Sequence, residues 1–172
     1  MGVWGVKTFE NDSALDWVSE LEDEKDLVQV IIKFYDLFEV INRKDDNFID
    51  SDLASEVLVA SEIVAALLGN PSNDLPPTIA RWLKKKSFDR GLVTVVNDII
   101  MNTEFEDNTK EEWKSCDKKE KWNMVLSLLS NFASSSFEHI LERSELKDLW
   151  VESNDYDKWR ETVKELRNRC TK

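Results

Sequence analysis

The residues most able to do chemistry in this 172-residue chain are carboxylates. Asp45, Asp46, Asp50 and Asp52 crowd a short stretch that ends at Glu56. Read from Asp45, it has Asp first, Asn47 third and Glu56 twelfth, as in a calcium-binding EF-hand loop. Ile49 falls on a ligand position, however, and Asp50 replaces the glycine that makes the sharp turn. The segment therefore reads as an acidic turn feeding a capped helix. His139 is the one imidazole, preceded by Ser134, Ser135 and Ser136, but nothing around it marks a base and an orienting group for a nucleophile. Position 136 is Ser, so no Glu-x-x-His suits a di-iron bundle. Gly2, Gly5, Gly69 and Gly91 are too scattered to cradle a phosphate. With one His and two Cys 54 residues apart, His- or Cys-based metal sites and disulfide scaffolds are set aside. No catalytic residue, resident metal or cofactor is expected, and the chain is read as a non-enzyme.

These side chains are positioned by helices. Gly and Pro are scarce, four and three, and apolar residues recur at spacings of three and four. The expected fold is all-α, one compact multi-helix domain over 1–172. Asn11, Asp12 and Ser13 offer caps for a first helix with Ala14, Trp17, Val18 and Leu21 inward. A second segment, 27–41, is apolar around most of its circumference and is expected to be central; a strand over Val28–Phe34 is the rival reading. Asp50, Ser51 and Asp52 cap a third helix, Leu53 to Leu68, closed by Gly69. Pro76-Pro77 opens a short helix, and Leu92, Val95, Val96, Ile99 and Ile100 mark another. Residues 102–121 form the most polar stretch, expected as a mobile loop or insertion, or a weak helix. Helices follow over 122–132, over 135–150 and from about 154, the last with Trp159, Val163, Leu166 and Cys170 inward.

Charge supplies the functional signal. The balance is −12, which opposes a general nucleic-acid binder, since such proteins need a basic face. Residues 10–26 hold eight acids and one base, and a second acidic stretch runs Glu104-Phe105-Glu106-Asp107. Arg81, Lys84, Lys85, Lys86 and Arg90 form a small basic patch against this trend. A charge run is commonly a solvated face. The sharper expectation is a surface for a basic protein, using Glu20, Glu22, Asp23, Glu24, Asp26, Glu104, Phe105, Glu106, Asp107 and Trp113, with Phe105 or Trp113 burying into the partner.

The N-terminus is more specific. Met1-Gly2-Val3-Trp4-Gly5, then Phe9-Glu10-Asn11-Asp12, then Ala14, Asp16 and Trp17 resemble the opening of a family of small bacterial proteins of unknown function. Ser61 to Gly69 and Ser144 to Trp150, followed by Trp159, look like the same family; the stretch from about 84 to 140 departs from it. The resemblance implies a compact helical domain without established activity, with Trp4, Phe9 and Trp17 under the first helix. Small acidic helical domains without catalytic motifs also resemble immunity proteins, which cover the active site of an antibacterial toxin. The expectation is thus an acidic module that occludes a basic, nuclease-type toxin. The alternative is a carboxylate- or metal-dependent enzyme using Asp45, Asp46, Asp50 or Asp52; a deep acid-lined pocket would favour it and a convex acidic surface would oppose it.

No leader-like pattern opens the chain, and the longest apolar run, Ile63 to Leu68, is far below the roughly 20 residues of a spanning helix. A cytoplasmic location, with Cys116 and Cys170 reduced, is expected; a disulfide between them in an oxidising compartment is the alternative.

Overall fold

The computed structural model describes residues 4–24, 27–43, 48–85 and 113–171. Among them stand α1 (Asp12–Asp23), α2 (Leu27–Asn42), α3 (Ser51–Leu67), α4 (Pro77–Lys85), α5 (Lys118–Arg143), α6 (Glu145–Val151) and α7 (Tyr156–Cys170), and Trp113, Lys114 and Ser115 are helical too. The protein is all-α, and one buried cluster runs from Ala14 in α1 to Cys170 in α7. The expected helix over 92–100 and the stretch 101–112 lie outside the described residues.

Local chemistry sets the helix ends. Asn11 caps α1 by accepting the Ala14 N–H at 2.7 Å, and Ala14, Trp17, Val18 and Leu21 turn inward at helical spacing. The stretch Val28–Phe34 is helical, not a strand: helical packing buries Val28, Ile31, Phe34, Phe38 and Ile41 on one side of α2. Gly69 ends α3 at φ 93°, the left-handed conformation that lets Asn70 donate to Ala65 O at 2.8 Å.

Among the described helices the most enclosed is α3 rather than α2. Every residue from Ala54 to Ala65 is buried except Glu56. Its Ala, Ser and Val side chains are short enough for α1, α2, α5, α6 and α7 all to pack against it. Ser55 and Ser61 are tolerated there because each hydroxyl donates to the carbonyl four residues back, at 2.7 Å.

The C-terminal half departs from expectation in two places. The polar stretch does not last to 121: Asp117 and Glu120 form a reciprocal capping box that starts α5 at Lys118. The expected break between 132 and 135 is absent as well. Ser135 and Ser136 donate to Asn131 O and Phe132 O, so α5 continues to Arg143. The break comes at Ser144, whose side chain accepts the Lys147 N–H and caps α6. There Ile49 meets Ser144 in an isolated parallel bridge, and Trp150 of α6 stacks on Trp159 of α7.

A strap precedes α1. Trp4 and Gly5 N–H both donate to Glu10 O, and Gly5 sits so close that an added Cβ would lie 2.9 Å from Glu10 Cβ. Phe9 is half-buried and Trp17 buried, but Trp4 is exposed, so the expected packing of all three aromatics is not met. The hydrogen bonds that close this turn leave the Trp4 side chain on its outer side.

Candidate functional site

Burying Ala14, Trp17, Val18 and Leu21 turns Asp12, Asp16, Glu20, Glu22 and Asp23 outward, and α1 contains no Lys or Arg. This acidic face does not stop at α1. Ser13 donates to Asp52 Oδ1 at 2.7 Å, joining the start of α1 to the start of α3. Glu145 brings a further carboxylate from α6, accepting the Ser51 N–H at 3.0 Å. Partial burial pushes the Glu56 carboxyl above its ordinary value, with Glu20, Asp52 and Asp50 adding like-charge repulsion in that order. Glu20, Asp50, Asp52 and Glu56 therefore share one negative potential across the α1–α3 seam.

The raised value makes Glu56 a pH-dependent liability. Its folded-state pKa lies above the unfolded one, so the native state holds the proton more tightly and stability falls as pH rises through that window. Below the unfolded value both states are protonated and the penalty is absent. Glu56→Gln is expected to raise the melting midpoint by about 2 °C at pH 7 and to do nothing at pH 3. Scanning calorimetry at the two pH values checks this; an equal gain at both would assign the effect to packing instead.

Glu20, Glu22 and Asp23 are exposed as expected, and Glu24 is half-buried at the end of α1, its carbonyl accepting the Trp82 indole N–H at 3.4 Å. Asp26, Glu104, Phe105, Glu106 and Asp107 lie outside the described residues. Trp113 is corrected: it is 1% exposed and belongs to the core, with the Lys121 ammonium 5.4 Å from its ring centroid. Its ring is already covered by this chain and cannot anchor a partner in this conformation. In the sequence Asp50, Asp52 and Glu56 read as a turn or metal candidate; the fold adds them to the acidic face. The four-residue step from Asp52 to Glu56 was the available signal.

Asp50 and Asp52, the described aspartates of the metal-like stretch, are engaged in the fold. Asp50 caps α3 by accepting the Leu53 N–H at 2.8 Å, and Asp52 receives Ser13. Asp45 and Asp46 lie outside the described residues. Among the described residues no group of three or more His, Cys, Asp or Glu side chains is arranged to hold a metal ion. His139 lies half-buried on α5; burial first, then Arg143, pushes its imidazole below the ordinary value. Cys170 is buried, donates to Ser61 O at 3.3 Å, and has its thiol pushed up to about 12, which suppresses the thiolate.

Concavities occur elsewhere. A polar cleft of about 190 Å³ lies between the strap, the turn after α3, and α7. Its floor is the ion pair of Glu62 with Arg169, at 2.7 and 2.8 Å, to which Thr8 adds a hydroxyl at 3.4 Å. Lys7 and Asp74 pair at 2.8 Å on its rim. A wider groove of about 520 Å³ runs past Leu67, Trp122, Leu126 and Cys170. Asp50, Asp52 and Glu56 line neither. Arg81 and Lys84 of the small basic patch are exposed on α4; Lys86 and Arg90 fall outside the described residues. No helix among the described residues is long and apolar enough to cross a membrane.

The model of a family described as a domain of unknown function, DUF4259, matches residues 2–162. No curated protein and no solved structure matches the chain.

Proposed function

Because the chain belongs to this domain-of-unknown-function family, whose description carries no activity, we propose from its surface that it is an acidic protein-binding module. On this reading it is a bacterial immunity protein that neutralises a basic, nuclease-type toxin by covering the toxin's active site. The observation that carries the proposal is the carboxylate seam of Glu20, Asp50, Asp52 and Glu56, beside an α1 without a basic residue. A nuclease must present a basic surface to phosphate, and a field of this sign attracts such a surface while repelling nucleic acid. Occlusion needs no catalytic group on the inhibitor. The alternative carboxylate enzyme draws no support from Asp50 and Asp52, which cap a helix and receive a hydroxyl instead of facing a cleft.

The test is capture with the full chain at low salt from its native cell, followed by kinetics on the purified partner. A triple variant, Glu20→Gln, Asp52→Asn and Glu56→Gln, is expected to slow association about tenfold at low salt. At about 0.5 M salt, where the Debye length is below about 5 Å, the difference should largely vanish. A partner without a basic surface, or an unchanged association rate, would overturn the proposal.

A further inference from the structure

Phe48 is the most exposed large apolar side chain among the described residues, at 60%. The backbone beside it is fixed. Ile49 is buried, its N–H donates to Arg143 O at 3.2 Å, and its carbonyl accepts the Glu145 N–H at 2.8 Å. Side chains alternate across an extended segment, so pinning Ile49 inward turns both Phe48 and Asp50 away from the core. The aromatic ring is thus presented at the edge of the carboxylate seam, two residues from Asp50 and next to the α3 start that holds Asp52 and receives Glu145. Arg43, a nearby base in the chain, is ion-paired with Glu39 at 3.1 Å.

We infer that Phe48 is the apolar anchor of the acidic face, entering a socket framed by Lys and Arg side chains on a basic protein partner. This rests on the reading that a basic protein binds the face. An aromatic ring bordered by charged groups matches the anatomy of interface hot spots, where a desolvated anchor supplies affinity and the polar rim excludes water. The charges choose the occupant. A second copy would oppose carboxylates to carboxylates across a two-fold contact, and anionic lipid or nucleic acid would be repelled in the same way. The acids raise the encounter rate, and Phe48 sets how long the complex lasts.

The experiment uses the full chain and the partner captured with it at low salt, purified and titrated by calorimetry and surface kinetics. Phe48→Ala should weaken binding about 30-fold, mainly through faster dissociation, with the salt dependence unchanged. Phe48→Lys should weaken it further by placing like charge in the socket. Because the ring faces solvent, Phe48→Ala should leave the melting midpoint within about 2 °C, and Val151→Ala, exposed on α6, serves as the neutral control. If Phe48→Ala binds within twofold of wild type while the triple carboxylate variant associates more slowly, the anchor is overturned and the acidic-face reading stands. If neither variant changes binding, or no basic protein is captured, both are overturned.

Discussion

Replacing Arg169 with alanine is expected to lower the melting midpoint by about 10 °C. The Glu62 side chain is 4% exposed and the Arg169 side chain 15%, so the pair is largely removed from water. Two guanidinium donors reach separate Glu62 oxygens at 2.7 and 2.8 Å, leaving only the weaker Thr8 hydroxyl contact, at 3.4 Å, for the carboxylate once the arginine is gone. Breaking a buried pair by deleting one partner costs about 3–5 kcal/mol, because an uncompensated charge stays behind. A domain of this size loses about 2–4 °C per kcal/mol. The double variant Glu62→Leu with Arg169→Met should recover much of the loss, since apolar groups of similar volume often replace a buried pair without penalty. Thermal unfolding of the three proteins checks this. A single variant melting within 2 °C of wild type would mean that solvent reaches and screens Glu62. The surface pair Lys7–Asp74 is the contrast: both side chains are about half exposed, and its removal should be barely measurable.

Trp113→Ala is expected to destabilise the fold by about 3–5 kcal/mol, the cost of emptying the site of a large buried aromatic. Trp113 is among the largest fully buried side chains of the described core. The same substitution separates two roles for one residue. A partner anchor would lose binding and keep its melting midpoint; a core residue loses stability, again by about 10 °C. Trp113→Phe, which keeps much of the volume, should recover part of that stability. A stable Trp113→Ala protein that no longer binds its partner would restore the anchor role to Trp113.

Helix existence was largely legible in the sequence because it follows from local spacing and capping. Asn11 with the stripe Ala14, Trp17, Val18 and Leu21 is one such case, and Asp50 ahead of α3 is another. Where two local rules compete, the chain by itself misleads. The expected break between 132 and 135 is one such case: α5 runs straight through it, and the Ser135 and Ser136 hydroxyls fold back on carbonyls one turn earlier. Trp113 in a polar stretch reads as exposed, yet one large ring gains more from burial than its polar neighbours lose.

The candidate site divides the same way. The sequence by itself determined the sign and amount of charge, an α1 whose charged residues are all acidic, and the absence of a Gly-rich phosphate loop or a Glu-x-x-His pair. Only the tertiary structure decided that Glu20 and Glu56 share a potential, because that depends on how α1 packs on α3. It also decided that Glu62 and Arg169, 107 positions apart, form one buried pair, and that Phe48 stands in solvent while its neighbour Ile49 is bridged to Ser144. The physical reason is range. Capping and periodicity act over three or four residues, whereas charge coupling and burial depend on distances in space that the chain sets only when it folds.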